Sequence, residues 1–307
     1  MSQLGNLGKY HLLERLAADD IAEVYKVKTI GIAGFEKVQV LKRILPHCAQ
    51  DPKFIRSFID QAKIAFSLNH RNIVQVFEFG KVDGDLFLAM EYIPGANLHV
   101  MMQECLRQQR TPPVGLTCYL MGEVAAGLEY AHRKSDHLGQ ELGIVHCDIN
   151  PRNIACSFEG SVKILDFGIS RAVWSMIPYQ QRGSWLPQHM SPEQVQAQDL
   201  DPRSDLFAFG TILWELLTGA PLFAAPTMEG TIHSILHRPV PSPRSLNPDV
   251  TSHLEDLTMH CLVRDREQRI ASASELQMEL HRIQRMLGAV IGSRALSAFT
   301  ADLLPGY

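Results

Sequence analysis

The run His146-Cys147-Asp148-Ile149-Asn150-Pro151-Arg152-Asn153, followed by Lys163-Ile164-Leu165-Asp166-Phe167-Gly168, constrains this chain more than any other feature. Asp148 and Asn153 stand five residues apart on one expected loop, and Asp166 ends an apolar strand. Carboxylate and carboxamide oxygens suit a hard cation such as Mg²⁺. A further carboxylate that orients a hydroxyl would complete what phosphoryl transfer asks of a protein, because that chemistry rests on positioning and charge. Singly these residues carry little. An isolated Asp is more often a turn former, an isolated Lys42 a surface lysine, and Cys147 a small buried hydrophobe rather than a redox switch. Order and spacing carry the argument.

The rest of the chain bounds the setting. Its 307 residues are 46% hydrophobic and 20% charged, too apolar for disorder and long enough for one large domain or two lobes. Net charge is −4, from 29 basic and 33 acidic residues, and no block of five like charges occurs. Nucleic acid and anionic lipid are therefore poor default partners. The six cysteines form no Cys-x-x-Cys pair, which leaves structural zinc and a disulfide framework without their spacing. No signal pattern opens the chain, and no apolar run reaches the roughly eighteen residues of a membrane span. The expectation is a cytoplasmic protein without a membrane span; oligomeric state is not legible.

Periodicity predicts two kinds of territory. Strands are expected at Val24–Ile30 and Val38–Ile44 around a turn at Gly31 and Gly34, and again at Ile73–Phe79 and Leu86–Met90. Between them, Asp51-Pro52 reads as a helix start, with Phe54, Phe58, Ala62, Ala65 and Phe66 as its apolar stripe and an end near Asn69-His70. Beyond Pro94-Gly95 the pattern turns helical. Leu120, Val124 and Leu128 mark one helix ending near His132, and Asp205–Leu217 is apolar nearly all round, as a buried helix is.

With these motifs in order, the chain resembles the protein kinase superfamily, and specifically bacterial serine/threonine protein kinases. The resemblance implies an α+β, bilobal fold: a kinase-like domain over 8–285, its strand-rich lobe 8–90 and helical lobe 91–285, and a helical tail over 286–307. Function would sit in the cleft between the lobes, with ATP and Mg²⁺ bound there and a protein as substrate or binding partner. By the same resemblance Asp148 orients the hydroxyl, Lys42 meets the α- and β-phosphates, and Asn153 and Asp166 hold the metal. Asn150 stands where the family has a catalytic-loop lysine or serine. Leu16, Ala17, Val24 and Val40 would enclose the nucleotide, and beyond Met90, a gatekeeper, Glu91 and Ile93 would offer backbone groups to adenine. Gln61, His146, Phe167, Ser184, Glu193, Asp205 and Arg269 take structural or regulatory positions. Ser191-Pro192-Glu193 matches the end of an activation segment, and Arg269 is the expected partner of Glu193. Ser170, Ser175, Tyr179 and Ser184 are the candidate phosphosites.

The departures from the family cluster. Ala17, Asp19 and Ala22 fill the three positions of a glycine-rich loop, where a backbone approaches phosphate closely. Asp19 and Asp20 would repel a triphosphate, each by roughly 3 kcal/mol at about 5 Å before screening. Val40 narrows the adenine roof, and Cys147 replaces the arginine that anchors a phosphorylated segment. Gln61 replaces the glutamate that pairs with the strand lysine, although it can still hydrogen-bond Lys42. Two readings follow: a slow or conditionally active serine/threonine kinase, and a pseudokinase acting as a scaffold or allosteric partner. A small-molecule phosphotransferase shares the loop motif, but Ser191-Pro192-Glu193, Asp205 and Arg269 argue against it.

Overall fold

The computed structural model describes residues 5–19, 21–167, 187–288 and 291–306. They fall into two compact units. The first runs to His70, resumes at Val74–Ile93 and takes in Asp166 and Phe167; the second holds Arg71–Ile73, Pro94–Leu165 and the described residues from Pro187 on.

Among the described residues, the first unit is an antiparallel sheet with one α-helix. Strands β1 (Asn6–Leu7), β2 (Tyr10–Ala18), β3 (Ala22–Ile30), β4 (Glu36–Ile44), β5 (Val76–Val82) and β6 (Asp85–Glu91) pair in the order β1-β2-β3-β4-β6-β5. Alternation sends Tyr10, Tyr25, Val27, Leu41, Phe87 and Ala89 into one core. Helix α1 (Pro52–Ser67) begins where Asp51 accepts from the Lys53 N–H at 2.8 Å, with proline in the first turn. Phe54, Phe58, Ala62 and Ala65 are buried, and Phe58 meets Phe79 of β5 at 5.8 Å between ring centroids. Phe66, expected in that stripe, is 56% exposed. Steps of four residues drift about 40° each around a helix, and by position 66 the drift has left the buried face.

Two strand expectations are shifted. Ile73 does not begin a strand with Val76; it bridges Ile164 in the second unit, while β5 starts at Val76. The expected turn at Gly31 and Gly34 is one short 3₁₀ turn over Ile32–Gly34.

The second unit is mainly helical. A small sheet of β7 (Gly95–Asn97), β8 (Ile154–Ser157) and β9 (Val162–Ile164) lies among α2 (Leu98–Arg107), α3 (Val114–His132), α4 (Pro192–Val195), α5 (Pro202–Thr218), α6 (Met228–His237), α7 (Ser252–Cys261), α8 (Ala273–Met286) and α9 (Ser293–Leu303). Every side-chain position of α5 from Ser204 to Leu217 is buried, as its all-round apolar sequence requires. Gly219 closes α5 at φ +70°, donating to the Glu215 carbonyl. The tail helix α9 packs on α2, α3 and β8 with Leu296 and Leu303 fully buried. Among the described residues no helix is long and apolar enough to cross a membrane.

Candidate active site

In the strand-rich unit, Lys42 lies on β4 between Val24 of β3 and Leu88 of β6. A central strand buries what it carries, and Lys42 is 7% exposed. A buried ammonium demands an anionic partner. Its Nζ donates to Asp166 Oδ2 at 2.8 Å. Asp166 holds φ +58°, a left-handed conformation that aspartate tolerates better than most residues. Gln61, which could hydrogen-bond Lys42, is half-buried on α1 and makes no side-chain hydrogen bond among the described residues. A carboxylate is the stronger acceptor for an ammonium.

The remaining nucleotide candidates of this unit are spread along its strands. Val40 is half-buried opposite Lys26 and Met90. Leu16 sits at a bulge between the Arg15 and Ala17 pairings and is exposed, as Ala17 is, whereas Val24 is half-buried. The Glu91 N–H donates to the Gln75 carbonyl at 2.9 Å, and Ile93, half-buried, ends the Val74–Ile93 stretch of the unit.

The β2–β3 turn differs from expectation in its physics. Asp19 does not project a bare charge: its Oδ1 accepts from the N–H groups of Ile21 at 2.8 Å and Ala22 at 2.7 Å. No described residue of this turn has positive φ.

In the helical unit, Asp148 lies between two amides. Asn150 Nδ2 donates to its Oδ1 at 2.9 Å, and Asn153 Nδ2 donates to its Oδ2 at 2.8 Å. Both amides also reach the Asp148 carbonyl. Asn150 is thus a positioning group for the carboxylate, and its Oδ1 caps the following turn by accepting from the Arg152 N–H. Asn153 is oriented with its NH₂ on Asp148, which leaves Oδ1 as its remaining acceptor. His146 is fully buried; its Nδ1 accepts from the Asp148 N–H, so Nε2–H donates to the Leu165 carbonyl at 2.8 Å.

The loop is held from below. Asp205 on α5, 1% exposed, accepts from the backbone N–H of His146 and Cys147 and from His132 Nε2, at 2.8, 2.9 and 2.9 Å. Cys147 carries φ +66°, and its carbonyl accepts from Gln194 Nε2 at 2.7 Å. Ser191 and Gln194 form a reciprocal cap at the start of α4. Next to them, Glu193 takes a two-pronged bond from Arg269 at 2.7 and 3.1 Å and a third from Ser204. All five Arg269 N–H groups are satisfied, the others by the carbonyls of Val263, Arg203 and Arg264. Burial alone would raise the Glu193 carboxyl, but Arg269 beside it holds it below the usual carboxylate range.

Three supporting residues were not singled out from sequence: His132, Asn72 and Glu123. Asn72 Nδ2 donates to Glu123 Oε2 and to the Val162 carbonyl, while its own carbonyl accepts from the Ile164 N–H. A polar residue next to the apolar pair Ile73-Val74 was the available signal, because a buried amide must find partners.

Gly168, Ser170, Ser175, Tyr179, Ser184, Asp20 and Val290 lie outside the described residues. All six cysteines are free thiols, and burial pushes Cys118, Cys156 and Cys261 up to about 12. Among the described residues no group of three or more His, Cys, Asp and Glu could hold a metal by itself. Mg²⁺ commonly takes only one or two protein oxygens and completes its shell with phosphate and water. Asn153 Oδ1 and Asp166 Oδ1 are donors of that kind.

A protein kinase domain profile matches residues 10–280. Tyrosine-protein kinase MasK of Myxococcus xanthus is 33% identical over 87% of this chain and 41% of its own length. Serine/threonine-protein kinase pkn3, also of Myxococcus xanthus, is 30% identical over 90% of this chain and 50% of its own length. The chain therefore spans about half or less of these curated relatives. The crystal structure of the Mycobacterium tuberculosis PknI kinase domain superposes with a TM-score of 0.69 at 25% identity, covering 92% of this chain and 99% of that one. A sheet carrying Lys42, a helical unit carrying Asp148 and Asn153, and a profile match over nearly the whole chain agree: the chain belongs to the protein kinase domain family and has its bilobal α+β fold.

Proposed function

We propose that this chain is a serine/threonine protein kinase of low turnover, transferring the γ-phosphoryl group of ATP to a protein hydroxyl inside the cell. One observation carries the reading. The Asp148 carboxylate is fixed by an amide on each oxygen, and one of those amides, Asn153, keeps its own oxygen for a cation. A loop that had lost its chemistry would not need both.

In this reading Asp148 receives the hydroxyl proton as the substrate oxygen attacks the γ-phosphorus and the bond to the β-phosphate oxygen breaks, releasing ADP. Lys42 contributes charge to the α- and β-phosphates. Asn153 and Asp166 are the residues that would hold Mg²⁺, which would supply positive charge to the phosphate oxygens. Low turnover follows from three groups. Lys42 and Asp166 neutralise each other in the free protein. Asn150 supplies no cation where the family has a lysine, and Gln61 supplies no anion to hold Lys42.

Two measurements test this. ATP with Mg²⁺ is expected to raise the melting temperature, by mass action on the folded state, more than ATP alone. Incubation with γ-labelled ATP and a generic protein acceptor is expected to leave label on serine or threonine after acid hydrolysis. Label on tyrosine alone would move the acceptor class toward that named for MasK. No thermal shift and no label would leave the scaffold reading.

A further inference from the structure

We infer that Asp19 is an intramolecular substitute for a nucleotide phosphate, and that it sets how tightly this protein takes ATP. The inference rests on the kinase reading above and deepens it by naming the residue that limits nucleotide affinity.

The β2–β3 turn carries backbone N–H groups of the kind that bind anions when they converge. Here two of them, from Ile21 and Ala22, converge on a single oxygen, Asp19 Oδ1, at 2.8 and 2.7 Å. The acceptor they hold is a carboxylate oxygen of this chain. An incoming phosphate would meet a turn whose donors are already engaged by an anion. It would also meet the second oxygen of that anion, on an exposed side chain.

The turn is fastened in this state at three further points. The Asp19 N–H donates to the Ala22 carbonyl at 3.0 Å, closing the hairpin. Ile21 is 5% exposed, so its side chain is an anchor on the inner face. The Ile21 carbonyl accepts from the Leu45 N–H at 2.8 Å, tying the turn to the end of β4. On either side the ladder continues as Ala18↔Glu23 and Ala17↔Val24. To offer its amides to a phosphate, the turn must first release the Asp19 carboxylate. That release lowers apparent affinity by the fraction of molecules in which it has occurred.

The test uses the full chain and MgATP as the titrant, measured calorimetrically for the wild type, Asp19→Asn and Asp19→Gly, each also in a Lys42→Met background. Asp19→Asn keeps an acceptor oxygen for the turn and removes the charge; Asp19→Gly removes both. MgATP is expected to bind severalfold more tightly to Asp19→Asn and about tenfold or more tightly to Asp19→Gly, with the gain lost when Lys42 is absent. Amide exchange at Ile21 and Ala22 gives a readout independent of catalysis. Both amides are expected to be protected in the free wild type, unprotected in free Asp19→Gly, and protected again when MgATP is added to that variant.

A merely structural turn residue would behave differently: Asp19→Gly would melt earlier and bind MgATP no better. Equal or weaker MgATP binding by both variants, with wild-type binding intact and dependent on Lys42, overturns the role of Asp19 alone. Absence of binding in every variant, Asp19→Gly included, overturns the nucleotide reading and this inference with it.

Discussion

Arg269 and Glu193 are buried almost completely, and each is satisfied by the other together with Ser204 or the surrounding backbone. Removing one partner of such a pair leaves a charge without water or counter-charge, so Arg269→Ala is expected to destabilise the fold by about 3–5 kcal/mol in denaturant titration. The pair also predicts a pH dependence. Glu193 sits below its ordinary value of 4.5 in the folded protein. A depressed folded value means that its contribution is complete above about pH 4.5 and is lost as pH falls through the folded value. The melting temperature is therefore expected to fall below about pH 4.5, and Glu193→Gln to lower it at neutral pH and shallow the acid limb. At this scale Asp148, Asn153, Asp166 and Lys42 were legible in order and spacing. The role of Asn150 was not, because sequence shows a missing lysine but not that the amide turns back onto Asp148. His132 was hidden for the same reason: its partner Asp205 is 73 residues away.

At the scale of elements, periodicity sufficed wherever an element met one environment along its length. Helix α5 is enclosed throughout, and its apolar run and closing glycine marked both its path and its end. Gly219→Ala would place a side chain at φ +70° with Cβ 2.9 Å from Thr111 Cγ2. The expected loss is about 1–2 kcal/mol, read as an earlier thermal transition. Periodicity failed where long-range pairing decided the outcome. Ile73 belongs with Ile164 because Asn72 is fastened to Glu123 and Val162, and no local pattern carries that information. The β2–β3 turn is a second case, since the absence of glycine was visible but the closure by Asp19 was not. The tail helix packs on the helical unit. Leu296 is fully buried there, the Ser297 hydroxyl donates to the Phe158 carbonyl, and Arg110 pairs with Asp302. Leu296→Ala is expected to reduce stability by about 2–4 kcal/mol.

For the molecule as a whole, the candidate residues fall in two compact units: Lys42 and Asp166 in the sheet-bearing unit, Asp148 and Asn153 in the helical one. The overall charge of −4 left this invisible, because what matters is where single charges stand. Lys42 is matched by Asp166, Asp19 by its own turn, and Asp148 by neutral amides, so the candidate residues are engaged by groups of this chain itself. Slow chemistry that depends on them is the expected outcome. The most direct test is the initial rate of label transfer from γ-labelled ATP with Mg²⁺, measured side by side for the wild type and Asp148→Ala. A general base is worth roughly a hundredfold to ten-thousandfold. The wild type is expected to show a slow but measurable rate that falls at least about a hundredfold in Asp148→Ala; equal rates in the two proteins, or no transfer by either, would refute catalysis through Asp148.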